Sequence, residues 1–272
     1  MDLLLFTSDL DRTLIYSKRM MHQFPPTTPE IIAERVDGEA MSMMTEATTK
    51  LLHQVNEKTL FVPVTTRALH QYERIHLIRD LQPTFAITSN GGTIVEKGRP
   101  NEQWANILRQ RIEDSSIPDT DLLRRFDAIK SDTWLQRSFY VDDLFYVYYV
   151  DLDVFQQEEV QGMISEFGEL GWHVLLQGRK LYLLPKVLTK EAAITYLKER
   201  YTYDVHIAAG DSILDYGMLT TADIGYTPFH GDLKDKQPDV LKNTIYSTHS
   251  GEAFTQNLLE EVLRLATKQP IV

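Results

Sequence analysis

The chain contains no cysteine. Disulfides and thiolate catalysis are therefore excluded, and the composition fits a reducing compartment. Long apolar runs are missing too. None approaches the ~20 residues that a membrane helix needs. The N-terminus has no basic segment, carries Asp2, and its short apolar run leads straight into Asp9. That is not the pattern of a signal peptide. Positive charge is short: 28 Lys and Arg stand against 39 Asp and Glu, a formal charge of -11. Nothing supplies the basic footprint that nucleic acid or an anionic membrane surface requires. The eight histidines show no zinc spacing such as H-E-x-x-H. Repeats and low-complexity segments are absent. The expectation is a cytoplasmic protein with neither a nucleic-acid nor a membrane partner, and its oligomeric state is unknown.

What is present is ordinarily globular. The 272 residues are 43% hydrophobic and 25% charged, enough core for one large domain or two modest ones. Short apolar runs at 3–6, 60–64, 85–88, 205–209 and 244–246 read as buried strands. Amphipathic stretches lie between them. Leu69, Tyr72, Ile75 and Ile78 share a face, as do Ile194, Leu197 and Tyr201, and again Phe254, Leu258, Val262 and Leu265. This alternation predicts an α/β fold, a Rossmann-like parallel sheet flanked by helices.

The middle differs. Two helical stretches precede aromatic, β-branched runs at 134–142 and 144–150, broken at Asp142-Asp143, and a helix at 154–169 follows. Runs at 173–176 and 181–184 flank a hairpin signal at 177–180. An α+β domain over 93–180 is expected within a discontinuous core of 1–92 and 181–272. Residues 18–44 form a second insertion. Pro25, Pro26 and Pro29 disfavour a long helix there, Asp37-Gly38 marks a hairpin, and Thr45 reads as the N-cap of a helix through Val55.

Asp9 and Asp11 close the first apolar run. Two acids at the carboxyl end of a buried strand are costly unless a cation meets them, and open α/β sheets place their ligands at that edge. A spacing of two points both side chains the same way along a strand. At the strand end the backbone curves, so Asp9 can bind a metal and attack while Asp11 faces a leaving group. A pair of solvated turn acids is the plainer alternative. Thr65, Thr66 and Arg67 follow the second strand and open a helix, where a hydroxyl and backbone N–H groups suit a phosphate; a simple Thr N-cap would look the same. Lys190 opens another helix against the macrodipole, which a phosphoryl group and Asp9 nearby would explain. Gly210 permits a bend after the 205–209 strand, bringing Asp211 beside Asp9 as a Mg²⁺ site of carboxylate oxygens. Asp215 follows one turn on.

Taken together, Asp9-Leu10-Asp11-Arg12-Thr13, Thr65, Lys190 and Gly210-Asp211-Ser212-Ile213-Leu214-Asp215 resemble the motifs of the haloacid dehalogenase-like (HAD) hydrolase superfamily. The insertion between Thr65 and Lys190, preceded by Ser89-Asn90-Gly91-Gly92, resembles the α/β cap of its Cof-type, sucrose-phosphate and mannosyl-phosphoglycerate phosphatases. The resemblance implies a Mg²⁺-dependent phosphatase acting on a small phosphorylated metabolite, with a sugar phosphate as the expected class. It implies Asp9 as the nucleophile that forms an aspartyl-phosphate and Asp11 as acid, then base. The metal would be held by Asp9, the Asp11 carbonyl and Asp211, and the phosphoryl oxygens by Thr65 and Lys190. Ser212 and Asp215 would stand behind them, Asp215 orienting Lys190 or a metal-bound water. Arg12, Thr66, Arg67 and Asn90 are candidates for touching substrate. Arg12 stands where many relatives have Gly, Thr66 replaces the Gly of a Thr-Gly-Arg string, and Leu214 replaces an Asn. A phosphomutase with the same nucleophile, or a binding protein that kept the fold without turnover, are the alternatives.

Overall fold

The computed structural model describes residues 3–155, 157–236 and 241–267. The chain forms two compact units, Met1–Asn101 with Lys190–Val272, and Glu102–Thr189. In the first unit the strands are β1 (Leu4–Ser8), β2 (Glu30–Val36), β3 (Glu39–Thr45), β4 (Leu60–Pro63), β5 (Phe85–Thr88), β6 (Thr93–Glu96) and β7 (Arg99–Pro100). The second unit supplies β8 (Leu135–Val141), β9 (Phe145–Val150), β10 (Trp172–Gln177) and β11 (Lys180–Pro185). The first unit then resumes with β12 (Val205–Ala209), β13 (Ile224–Thr227) and β14 (Thr244–Tyr246).

The first unit is built on a sheet of order β14-β13-β12-β1-β4, every neighbour parallel. All five residues of β1 are buried, Thr7 and Ser8 included, so its apolar residues run together rather than alternate. Phe6, Phe61, Ile207, Leu258 and Val262 share one core, which the helix Glu252–Thr267 closes with its apolar stripe. Two details depart from the sequence reading. The 85–88 run meets the parallel sheet at the Val64–Ile87 bridge and pairs along its length with antiparallel β6. The stretch from Leu69 to Ile78 is two short helices, Leu69–Glu73 and His76–Arg79, that still bury Tyr72, Ile75 and Ile78.

In the second unit the antiparallel order is β10-β11-β9-β8. Phe126, Trp134, Tyr148, Phe167 and Leu181 are among the residues of its core. Asp142 and Asp143, both at positive φ, turn β8 into β9. The units divide after Asn101 and after Thr189; the expected boundary at 92/93 falls just before β6, and that at 180/181 falls inside β11. β6 and β7 fold back on β5 within the first unit, and β11 pairs with β9 and β10 within the second. Residue 156, in the expected 154–169 helix, and residues 1–2, 237–240 and 268–272 of the expected core lie outside the described residues.

The 18–44 insertion begins with a six-residue helix, Lys18–Gln23, which ends before Pro25. The β2–β3 hairpin follows, turning at Asp37 and Gly38, both in the left-handed region. Thr45 then caps the helix Glu46–Lys58, its hydroxyl accepting from Thr48 N–H at 3.2 Å. The same two threonines donate to buried Glu252, at 3.1 Å from Thr45 and 2.7 Å from Thr48. Burial pushes the Glu252 carboxyl up to about 7, against the opposing pull of those hydroxyls. Between an unfolded value near 4.5 and the folded value, the native state binds the proton that the unfolded chain has released. Stability therefore falls as pH rises through that window, by at most ~3 kcal/mol. Glu252→Gln keeps the acceptor and loses the charge. In urea unfolding it should overtake the wild type at pH 8 by ~1–3 kcal/mol and lose that advantage at pH 5; a difference independent of pH would contradict the assignment.

Candidate active site

The carboxyl end of the parallel sheet collects the sequence motifs. β1 ends at Ser8, and the next residue, Asp9, is locked to the neighbouring strand by its N–H on Ala209 O at 2.9 Å. Leu10 O then accepts from the N–H groups of Thr13, Leu14 and Ile15, so the chain winds a tight turn immediately after Asp9. That turn separates the two acids. Asp9 is buried at 6% exposure, whereas the Asp11 side chain is 47% exposed.

Lys190 is the buried cation that the acids require. Its side chain is 1% exposed, and Nζ donates to Asp9 Oδ1 and Asp215 Oδ1, each at 2.6 Å. A third, longer bond reaches Val64 O at 3.4 Å. Burial disfavours the Lys190 ammonium, but Asp215 and Asp9 outweigh it and hold its pKa above the usual lysine value. Burial pushes the Asp9 carboxyl up to about 7 while Lys190 pulls it down. Burial, Asp9 and Asp215 raise Asp211, with Arg12 opposing.

Oxygens of Asp9, Asp211 and Asp215 lie within 4.8 Å of one another. Asp215 nevertheless has little left for a metal. Its Oδ1 holds Lys190, and its Oδ2 accepts from Asp211 N, Ser212 N and Ser212 Oγ at 3.1, 3.0 and 3.0 Å. It is a brace that fixes the loop carrying Asp211. Gly210 serves that brace through its size rather than through a bend, because a Cβ there would lie 2.4 Å from the Asp215 Cβ. Asp9 and Asp211 remain as hard carboxylate donors that repel each other, which suits Mg²⁺ in character.

The β4 and β5 loops add the rest. Thr65 is buried, and its Oγ1 accepts from Arg67 N at 3.1 Å. Asn90, at φ 58°, donates its N–H to Thr65 O at 3.0 Å, so the segments bearing Thr65, Thr66 and Asn90 are tied together. Two expected substrate contacts are instead engaged within the protein. Arg67 forks onto Asp11, with Nε–Oδ2 and Nη2–Oδ1 both at 2.7 Å. Arg12, at φ 67°, places Nε 2.7 Å from Asp211 Oδ2 and Nη2 on His230 O at 2.8 Å. A positive φ is a conformation that glycine adopts more readily than arginine. Sequence reasoning missed Glu34, a buried acid that binds Arg67 at 2.7 Å; an acid within an apolar hairpin strand was the available signal.

A parallel α/β sheet with this constellation at its carboxyl edge defines a HAD-like hydrolase, and the comparisons make it a phosphatase. The chain belongs to the sucrose-6F-phosphate phosphohydrolase family, whose model matches residues 2–226. Its fold is shared with the sucrose-phosphatase of Synechocystis, solved with sucrose and phosphate, at TM-score 0.66 and 16% identity over 97% of this chain and 98% of that one. A HAD-superfamily phosphatase of Bacteroides thetaiotaomicron gives 0.60 and 14%, over 97% and 95%. A HAD-like hydrolase of Bacillus subtilis gives 0.54 and 14%, over 95% and 91%. No curated protein matches the chain. Among the described residues no helix is long and apolar enough to cross a membrane.

Proposed function

We propose that the protein is a Mg²⁺-dependent phosphomonoesterase that hydrolyses a small sugar phosphate through an aspartyl-phosphate. The observation that carries this is the buried triad in which Lys190 bridges Asp9 and Asp215. It presents one carboxylate at a sheet edge, beside a cation that can meet phosphoryl oxygens. Asp9 and Asp211 would hold the metal through their carboxylates and Asp11 through its backbone carbonyl. Bound there, the ion supplies charge neutralisation and alignment of the phosphoryl group.

The residues divide the work. The Asp9 carboxylate attacks phosphorus, and the bond from phosphorus to the departing oxygen breaks. Asp11 gives that oxygen its proton, releasing the alcohol. Asp11 then takes a proton from the attacking water, the bond from Asp9 to phosphorus breaks, and inorganic phosphate leaves with Asp9 restored. Lys190 and the Thr65 hydroxyl hold phosphoryl oxygens throughout, while Ser212 and Asp215 keep the Asp211 loop and Lys190 in place. Thr66 and Asn90 line the loops nearest Thr65 and are offered as substrate contacts. The second unit, residues 102–189, is offered as the cap domain of such phosphatases, and the cytoplasm as the compartment.

A screen of phosphorylated metabolites, headed by sucrose 6F-phosphate because the family carries its name, should find at least one sugar phosphate hydrolysed with Mg²⁺. EDTA should silence that activity and added Mg²⁺ restore it. Activity on no phosphomonoester would revive the binding-protein alternative, and indifference to chelation would remove the metal from the proposal. Isomerisation of a sugar phosphate without release of phosphate would favour the phosphomutase.

A further inference from the structure

The hairpin of the 18–44 insertion carries a side chain that the phosphoryl chemistry has not used. Glu34, on β2, is 2% exposed. A buried carboxylate is costly unless paired and hydrogen-bonded. The β2–β3 ladder shifts register on both sides of Glu34, the kind of irregularity that re-aims a side chain. Its oxygens are well supplied. Oε2 accepts from Arg67 Nη1 at 2.7 Å and from Ser42 Oγ at 3.3 Å, and Oε1 accepts from Arg74 Nε at 3.2 Å.

Arg67 is thereby held on two edges. Nε and Nη2 fork onto Asp11, and Nη1 is fixed by Glu34. A planar guanidinium gripped on both edges cannot turn without breaking a charge-assisted bond. Asp11 needs such a hold, because its half-exposed side chain lies beyond the buried end of β1. Sharing the guanidinium between two carboxylates also divides its charge, so Asp11 is oriented without claiming the whole of it.

We infer, on the phosphatase reading above, that the inserted hairpin is a positioning device: Glu34 holds Arg67, and Arg67 holds the Asp11 carboxyl group for proton transfer to the departing oxygen. Glu34 is a positioning residue and not a catalytic one, since it acts only through Arg67. Asp11 serves both half-reactions, but only the first depends on the leaving group. When the bond from phosphorus to the departing oxygen breaks, that oxygen keeps the bonding pair and takes the Asp11 proton. An alkyl oxygen depends on that proton, whereas p-nitrophenolate is stable without it.

The test compares Glu34→Gln with wild type on two esters in Mg²⁺, the best alkyl phosphate from the metabolite panel and p-nitrophenyl phosphate. The quantity read is kcat/KM, which covers events through the first bond cleavage. It should fall at least ~10-fold on the alkyl ester and no more than ~3-fold on the aryl ester, since general-acid catalysis contributes most where the leaving group is poor. Equal falls on both esters would mark Glu34 as merely structural and overturn the inference, as would no fall at all. If Glu34→Gln does not fold by circular dichroism, Glu34→Asp takes its place in the same comparison. That variant keeps the charge and retracts it by one methylene, and the same results support or overturn the role. A wild type that hydrolyses neither ester overturns the phosphatase reading and this role with it. An active wild type without the leaving-group effect overturns the role alone.

Discussion

Asp9→Asn is expected to abolish phosphate release while the fold survives. The amide has nearly the same shape but no anionic oxygen to attack phosphorus. Loss of a nucleophile costs turnover by more than ~1,000-fold where other site groups remain. Stability should change little, because burial disfavours the Asp9 charge that the amide removes. Lys190 keeps its 2.6 Å bond to Asp215 in the variant. The measurement is phosphate release beside urea unfolding, with mass spectrometry to show that the introduced amide has not hydrolysed back to the acid. Residual turnover of several per cent in intact variant would remove Asp9 from the nucleophile's role.

Lys190→Met should damage both activity and stability. The side chain is almost fully buried between two carboxylates. Removing it leaves Asp9 and Asp215 facing each other without a cation, and breaking a buried ion pair from one side costs about 3–5 kcal/mol. The phosphoryl group loses its neutralising ammonium at the same stroke, so turnover should drop by more than ~1,000-fold. The two effects separate in a double variant. Adding Asp215→Asn to Lys190→Met should recover much of the stability, because one stranded charge is gone, and none of the activity. Recovery of turnover in the double variant, or an unchanged unfolding midpoint in the single one, would contradict the picture of Lys190 as cation for both.

The motif residues were legible because chemistry there demands particular residue types at particular ends of strands. The 3–6 and 205–209 runs announced themselves as apolar strands, and an acid at the end of each had nowhere else to be. The lysine at the start of a helix was legible as an exception to the macrodipole. Networks formed between distant segments were not. Glu34 reads as one polar residue in a hairpin, and only tertiary folding brings it to Arg67 across 33 positions of sequence. Arg67 itself looked like a ligand for substrate because its partners, Asp11 and Glu34, lie in other elements. β13 escaped notice because its four residues, Ile224 to Thr227, carry no long apolar run. The division into two units is set in the same way: β6 pairs with β5 in the first unit and β11 with β9 in the second, and local composition does not reveal such pairings.

The covalent role of Asp9 is open to direct measurement. Enzyme mixed with excess of its best sugar phosphate and Mg²⁺, quenched in acid within a few turnovers and digested, should yield the peptide containing Asp9 with one phosphoryl group attached. The label should vanish when substrate is exhausted and never form in Asp9→Asn. Turnover with no phosphorylated Asp9 peptide at any quench time, or a phosphoryl group found on another residue, would contradict it.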